Sequence, residues 1–137
     1  MISLDTNVLV RIVTRDDPDQ AQAALALLRG KELWLTKTVL LELEWVLRFS
    51  YELDREKVGS ALRGVVGLRR LHVEDRQTVV LALEWYAEGM DFAGALHLAA
   101  SAATDSFATF DRKLAATAAR LDVFPKVELI GRGSEDK

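Results

Sequence analysis

Three carboxylates stand out among the 21 acidic residues of this 137-residue chain: Asp5, Glu42 and Asp111. Asp5 follows the short apolar run 1–4 and precedes Thr6-Asn7 and the apolar residues Val8, Leu9, Val10, Ile12 and Val13. That order predicts a buried strand, a polar turn and a short helix. Asp111 follows a strand-like run, 106–110, and precedes a helical pattern over 112–121. Ligands of open parallel sheets bind outside the carboxyl ends of the strands. Asp5 and Asp111 therefore belong at one rim, and Asp105, which precedes its strand, at the opposite edge. Each of the two also stands where an aspartate caps the helix that follows, so a purely capping role stays open for both.

Glu42 falls inside a long apolar helical pattern, 37–51, with Thr38, Val39, Trp45 and Val46 three and four positions away. A carboxylate flanked mainly by apolar groups has to be paired, hydrogen-bonded or metal-bound. Glu44 has Arg48 four residues on and an ion pair within its own helix, whereas Glu42 has no such partner there. An arginine from elsewhere is the alternative for Glu42. Carboxylates gathered at one site repel one another and stay ionised together only around cations. Hard oxygen donors without Cys or His suit Mg2+ or Mn2+. Phosphodiester hydrolysis is the chemistry that uses such a cluster, with metal lowering the pKa of an attacking water and neutralising charge on the phosphate.

The elements that would hold these groups alternate. A helix start at Asp16-Asp17-Pro18-Asp19 opens a helix that stops near Gly30, followed by a strand over 32–36. The apolar helix over 37–51 comes next, then a helix over 54–66 with Asp54 as N-cap. A short strand, 71–73, precedes a helix over 75–88 that ends at Gly89. Asp91 caps a helix rich in small residues. The strand at 106–110, the helix at 112–121 and a last strand at 127–130 complete the pattern, ahead of a polar tail, 131–137, expected to be frayed. Strands alternating with helices imply a layered α/β domain with a largely parallel sheet, and no repeat or linker divides residues 1–130.

Composition bounds the rest. Half of the residues are hydrophobic and 28% are charged, enough for a folded core. No apolar run approaches the ~18–20 residues of a membrane span, and no basic segment followed by an apolar one marks a secretory signal. A soluble, cytoplasmic protein is expected. The absence of Cys excludes disulfides, thiolate metal sites and a Cys nucleophile. The net charge of −3 lacks the basic excess usual for nucleic-acid binding. Cations held by clustered acids would invert the local sign, so the balance is compatible with a nuclease whose RNA binding is weak without metal.

Four segments carry a resemblance: Ser3-Leu4-Asp5-Thr6-Asn7-Val8-Leu9, the helix from Thr38 to Leu47, Asp91-Phe92-Ala93-Gly94-Ala95-Leu96-His97-Leu98-Ala99, and Thr109-Phe110-Asp111-Arg112-Lys113-Leu114. Together, and in this order, they resemble the PIN-domain ribonucleases, specifically toxins of the VapC type. The resemblance implies a three-layer α/β/α sandwich with a mainly parallel central sheet, Mg2+ or Mn2+, and endonucleolytic RNA cleavage. It also implies a homodimer, and inhibition by a small antitoxin whose C-terminal segment covers the active cleft. It assigns Asp5, Glu42 and Asp111 to the metal and places Asp91 beside them. Asn7 and Thr109 fall on polar positions that would orient ligands or water.

One position departs from the family pattern. The helix usually reads D-F-A-D-A-L-H-L, and its second, metal-binding aspartate is Gly94 here. A glycine inside a helix also costs roughly 1 kcal/mol relative to Ala. Three readings follow: Asp91 or a water replaces the missing ligand, the chain is a non-catalytic family member, or it is a loss-of-activity variant. The small residues around Gly94 also allow a structural reading, close approach to a neighbouring element. His97, one turn on, and Arg112, beside Asp111, are further candidates, as are Arg11, Arg15, Lys37 and Lys113 for phosphate contacts; ordinary solvated charge is the alternative for each. His72 has no constellation around it. Trp34, Trp45 and Trp85 read as core or dimer contacts, and the apolar surplus of the early helices could supply a dimer face and an antitoxin groove. A non-catalytic PIN-fold dimer that binds antitoxin or RNA is the competing function. An aspartyl-phosphate enzyme is disfavoured, because no second acid follows Asp5 two residues on and no Gly-rich phosphate loop follows.

Overall fold

The computed structural model describes residues 1–131. The chain divides into two compact units, one of residues 1–76 and one that begins at Gln77. All strand pairs in both are parallel.

The first unit runs β1 (Ile2–Ser3), α1 (Thr6–Thr14), α2 (Pro18–Leu28), β2 (Leu33–Leu35), α3 (Lys37–Phe49), α4 (Arg55–Val66) and β3 (Leu71–Val73). Its sheet has the order β1-β2-β3, with Ile2 opposite Leu33 and Leu33 opposite Leu71. Helical crossovers between consecutive strands give this parallel pairing. On β2 the alternation is clean, because Leu33 and Leu35 are buried while Trp34 is only partly so. α1 packs on α2 and α3, and α3 on α4. Leu9, Leu40, Leu43, Leu47, Val58 and Leu62, all with no exposed surface, fill the space.

Local chemistry sets the helix boundaries. The Asp17 carboxylate accepts the Gln20 N–H, with Pro18 at the first helical position. The Thr36 hydroxyl accepts the Val39 N–H, and Glu74 Oε1 accepts the Lys37 N–H at 2.9 Å, so two side chains satisfy the start of α3. α3 ends at Phe49, short of the expected Tyr51: the N–H groups of Ser50 and Tyr51 both close on the Val46 carbonyl.

The Tyr51 side chain turns back toward the α1–α2 connection. Its hydroxyl donates to Asp16 Oδ2 at 2.7 Å, Thr14 donates to Asp16 Oδ1 at 2.9 Å, and the Arg11 guanidinium contacts Asp16, Gln20 and Tyr51. Arg11 is therefore committed to the fold. So are Arg15, on the Ile12 carbonyl, and Lys37, on Asp75. The Tyr51 hydrogen bond, then that of Thr14, holds the Asp16 carboxyl below its ordinary value, with the Arg11 charge adding to them. A depressed folded pKa contributes stability that is present above the unfolded value and lost as pH falls through the folded one, a window below about pH 4. Tyr51→Phe is expected to move the Asp16 titration upward, as read from its side-chain carboxyl resonance by NMR. An unmoved midpoint would show that Tyr51 does not set it.

The second unit holds α5, which starts at the unit boundary (Arg76–Ala87), then α6 (Phe92–Ala99), β4 (Ser106–Thr109), α7 (Arg112–Leu121) and β5 (Lys126–Leu129). β4 and β5 pair with Ser106 opposite Lys126 and Thr109 opposite Leu129. α7 packs on β5 and buries Leu114 and Ala118, one turn apart. α6 is buried on most sides: Phe92, Gly94, Ala95, Leu96, Leu98 and Ala99 are all enclosed, and the Phe92 ring meets Tyr86 edge-on at 5.5 Å. Of the tail expected to fray, Gly131 is described and residues 132–137 lie outside the described residues. Among the described residues no helix is long and apolar enough to cross a membrane.

Candidate functional site

Asp5, Asp17, Asp54, Asp91 and Asp111 each stand at a helix N-cap, and four of these five do what that position favours. Asp17, Asp54, Asp91 and Asp111 each accept a backbone N–H from the first turn of the helix they precede. Asp5 does not. It has the extended backbone of an N-cap residue, φ −82° and ψ 159°, yet its side chain makes no capping hydrogen bond. Its carboxylate is exposed at the carboxyl end of β1. The capping alternative therefore falls away for Asp5, while Asp111 does cap α7: its Oδ1 accepts the Leu114 N–H at 3.0 Å.

Glu42, on the second turn of α3, corrects the expectation drawn from its helical neighbours. It is exposed, and Glu44 is the enclosed carboxylate of the pair at 3% exposure. Helical spacing names only the neighbours within α3, whereas burial follows from what packs on it. Glu44 lies on the packed side and meets Arg48 at 2.7 Å, the ion pair its spacing predicts. Glu42 is paired as well, although not with an arginine: the Thr6 hydroxyl donates to its Oε1 at 2.6 Å. Thr6 itself is 4% exposed. Asp5 and Glu42 are thus linked through one dipeptide, Asp5-Thr6, within the first unit.

In the second unit Asp111 lies at the carboxyl end of β4, and its own N–H donates to Thr109 Oγ1 at 2.9 Å. Thr109 thus fixes the backbone from which Asp111 starts α7. Asp91 Oδ2 accepts the Gly94 N–H at 2.8 Å. Because α6 begins at Phe92, Gly94 is the third residue of the helix and sits in its first turn rather than mid-helix. A Cβ added there would lie 2.7 Å from Asp91 Oδ1 and 3.1 Å from the Leu114 Cδ1 of α7. The structural reading of the glycine is realised, since α7 and the folded-over Asp91 carboxylate occupy the space where a side chain would begin.

Asn7, His97 and Arg112 are exposed, His97 in the last turn of α6 and Arg112 at the first position of α7. Of the two roles expected for Trp45, core or dimer contact, its exposure excludes the core: it is 52% exposed and its ring lies tilted at 4.9 Å from that of Phe49, 55% exposed, with the Arg48 guanidinium over the Phe49 ring. Trp34 and Trp85 are partly buried. His72, without a local constellation, meets Glu32 across the sheet at 2.6 Å, and this hydrogen bond holds the Glu32 carboxyl below its ordinary value. Two groups were not predicted from the sequence, Thr6 and the Glu32–His72 pair. Only Thr6 had a signal there, a hydroxyl next to Asp5 at a helix start.

The donors suit a hard cation. All are carboxylate oxygens, among the described residues neither the Asp5 carboxylate nor Glu42 Oε2 has a hydrogen-bond partner, and neither Cys nor His stands among them. Among the described residues no three or more His, Cys, Asp or Glu side chains form a ready metal-holding group. No curated protein and no solved structure matches the chain. The PIN domain family matches residues 2–120, a span that carries Asp5, Glu42, Asp91 and Asp111, and the chain belongs to that family.

Proposed function

We propose that this PIN-domain protein is a metal-dependent endoribonuclease, the toxin of a toxin–antitoxin pair. PIN domains are generally nucleases that use divalent metals, and nuclease-type activity is the coarser reading that membership supports. The observation that carries the finer one is the Asp5 carboxylate at the sheet edge, which makes no cap where Asp17, Asp54, Asp91 and Asp111 do. In this proposal Asp5 and Glu42 of the first unit, and Asp111 of the second with Asp91 in support, are the residues that would hold Mg2+ or Mn2+. The cation would lower the pKa of the attacking water and neutralise charge on the scissile phosphate. Thr109 fixes the start of α7 under Asp111, and the exposed Asn7, His97 and Arg112 would face the RNA backbone in this reading. The test is cleavage of a mixed RNA substrate with Mn2+ or Mg2+. Cleavage that EDTA abolishes is expected; undiminished cleavage in EDTA would refute the metal-dependent reading.

The partners follow the same proposal. An apolar groove of about 400 Å3 in the first unit, lined by Ile12, Val13, Leu53, Ala61 and Val65 with Lys57 among them, would take an apolar segment of the antitoxin. The exposed Trp45–Phe49 pair would meet a second copy. Trp45→Ala with Phe49→Ala is expected to shift the protein from dimer to monomer in sedimentation velocity, and an unchanged dimer would move the interface elsewhere. Gly94 favours a second reading, a non-catalytic PIN-fold dimer that binds antitoxin or RNA. That reading predicts partner binding indifferent to metal and no cleavage.

A further inference from the structure

We infer that Thr6 is a positioning residue for Glu42, and that by engaging Oε1 it leaves Oε2 as the oxygen that would hold a cation. The inference rests on the proposal that Glu42 is a metal-holding residue. Thr hydroxyls inside helices commonly bond back to the carbonyl four residues earlier. Thr14 does so, with Oγ1 at 2.8 Å from the Val10 carbonyl. Thr6 has no such outlet, because it is the first residue of α1 and the residue four positions earlier, Ile2, belongs to β1. Its hydroxyl therefore reaches out of its own helix, 36 residues along the chain, to Glu42 Oε1 at 2.6 Å.

Burial makes this choice firm. Thr6 is 4% exposed, and a buried hydroxyl without an acceptor costs about 1–3 kcal/mol. Its β-branch restricts the side-chain torsion, so the direction of the donor is set as well as its existence. Glu42 is otherwise exposed and has several rotatable bonds. One short, charge-assisted hydrogen bond at Oε1 fixes the carboxylate beside the Asp5-Thr6 dipeptide and leaves Oε2 uncommitted. Hydrogen-bond partners of this kind orient a ligating carboxylate, and their loss typically costs metal affinity.

The experiment measures Mn2+ binding to the full-length chain without RNA, from the free-ion electron paramagnetic resonance signal, for wild type, Thr6→Val, Thr6→Ser, Glu42→Gln and the Thr6→Val/Glu42→Gln double variant. Thr6→Val, nearly isosteric but without the donor, is expected to weaken Mn2+ binding by about 10- to 100-fold. Thr6→Ser is expected to stay within about threefold of wild type, because it keeps the donor and loses only the methyl group. The double variant should bind no more weakly than Glu42→Gln alone, since the two changes remove one shared interaction. If Thr6→Val fails to fold, Thr6→Ala removes the same donor without adding a methyl group and replaces it in each comparison. Loss in Glu42→Gln with full affinity in Thr6→Val overturns the role of Thr6 alone. Full affinity in Glu42→Gln overturns the assignment of Glu42 and this inference with it. A lower melting temperature in Thr6→Val with wild-type Mn2+ affinity identifies Thr6 as structural only and also overturns the inference.

Discussion

Asp5→Asn is expected to lower RNA cleavage in Mn2+ by about 100-fold or more, since the charge on a metal-holding carboxylate supplies several kcal/mol to the transition state. The substitution is close to isosteric and removes little else. Asp5 makes no capping hydrogen bond, and Asn is as good an N-cap as Asp, so the melting temperature should stay within about 2 °C of wild type. Asp111 gives the contrasting case. Its Oδ1 already accepts the Leu114 N–H, so Asp111→Ala removes a cap worth about 1 kcal/mol together with the charge, and its effect on activity cannot be separated from its effect on α7. The Asp5 variant is the cleaner probe for that reason. Cleavage within a few-fold of wild type, in a preparation freed of contaminating nuclease, would remove Asp5 from the site.

The same contrast shows how far the residues alone could be read. Caps at Asp17, Asp54 and Asp91 were legible because the donor lies three residues on, and both partners sit within one window of sequence; at Asp111 the same geometry was open between cap and ligand. The parallel pairing was legible too, because strands separated by helices leave little other choice. Asp5 was not decidable in the same way. It has the residue type and position of the other four, and only the direction of its side chain distinguishes it. Glu42 has a hydrogen-bonding partner as expected, but its exposure was not legible for a related reason: helical spacing names the neighbours within α3 and is silent about which face α1 and α4 cover. Glu44 shows that face by its burial and Glu42 by its exposure. Thr6 to Glu42, Tyr51 to Asp16 and His72 to Glu32 all span 35 to 40 residues, beyond the reach of any local pattern. These are the contacts that orient the carboxylates, and they became visible only with the fold.

Gly94→Asp, the change that restores the usual family residue, is expected to destabilise the metal-free protein by about 1–2 kcal/mol, a drop of roughly 3–8 °C in melting temperature. A helical glycine replaced by a residue with a side chain normally gains from the lower entropy of the unfolded chain. Here the new Cβ would start 2.7 Å from Asp91 Oδ1, 3.1 Å from Oδ2 and 3.1 Å from Leu114 Cδ1. Asp91 must swing away and give up its bond to the residue 94 N–H, and a second carboxylate then stands beside the first. Gly94→Ala separates the two costs, since it brings the steric conflict without the charge and should lose less stability than Gly94→Asp. Divalent metal reverses the charge part alone. Saturating Mn2+ is therefore expected to raise the melting temperature of Gly94→Asp by more than it raises that of wild type or of Gly94→Ala, because a cation that binds only the folded state stabilises it in proportion to its occupancy. Under the nuclease reading, cleavage by Gly94→Asp also rises above wild type once metal is present. A Gly94→Asp protein as stable as wild type without metal, and no more responsive to Mn2+, would mean that the space over residue 94 belongs to the packing of α6 and not to a carboxylate site. Asp91 would then be a helix cap and nothing more.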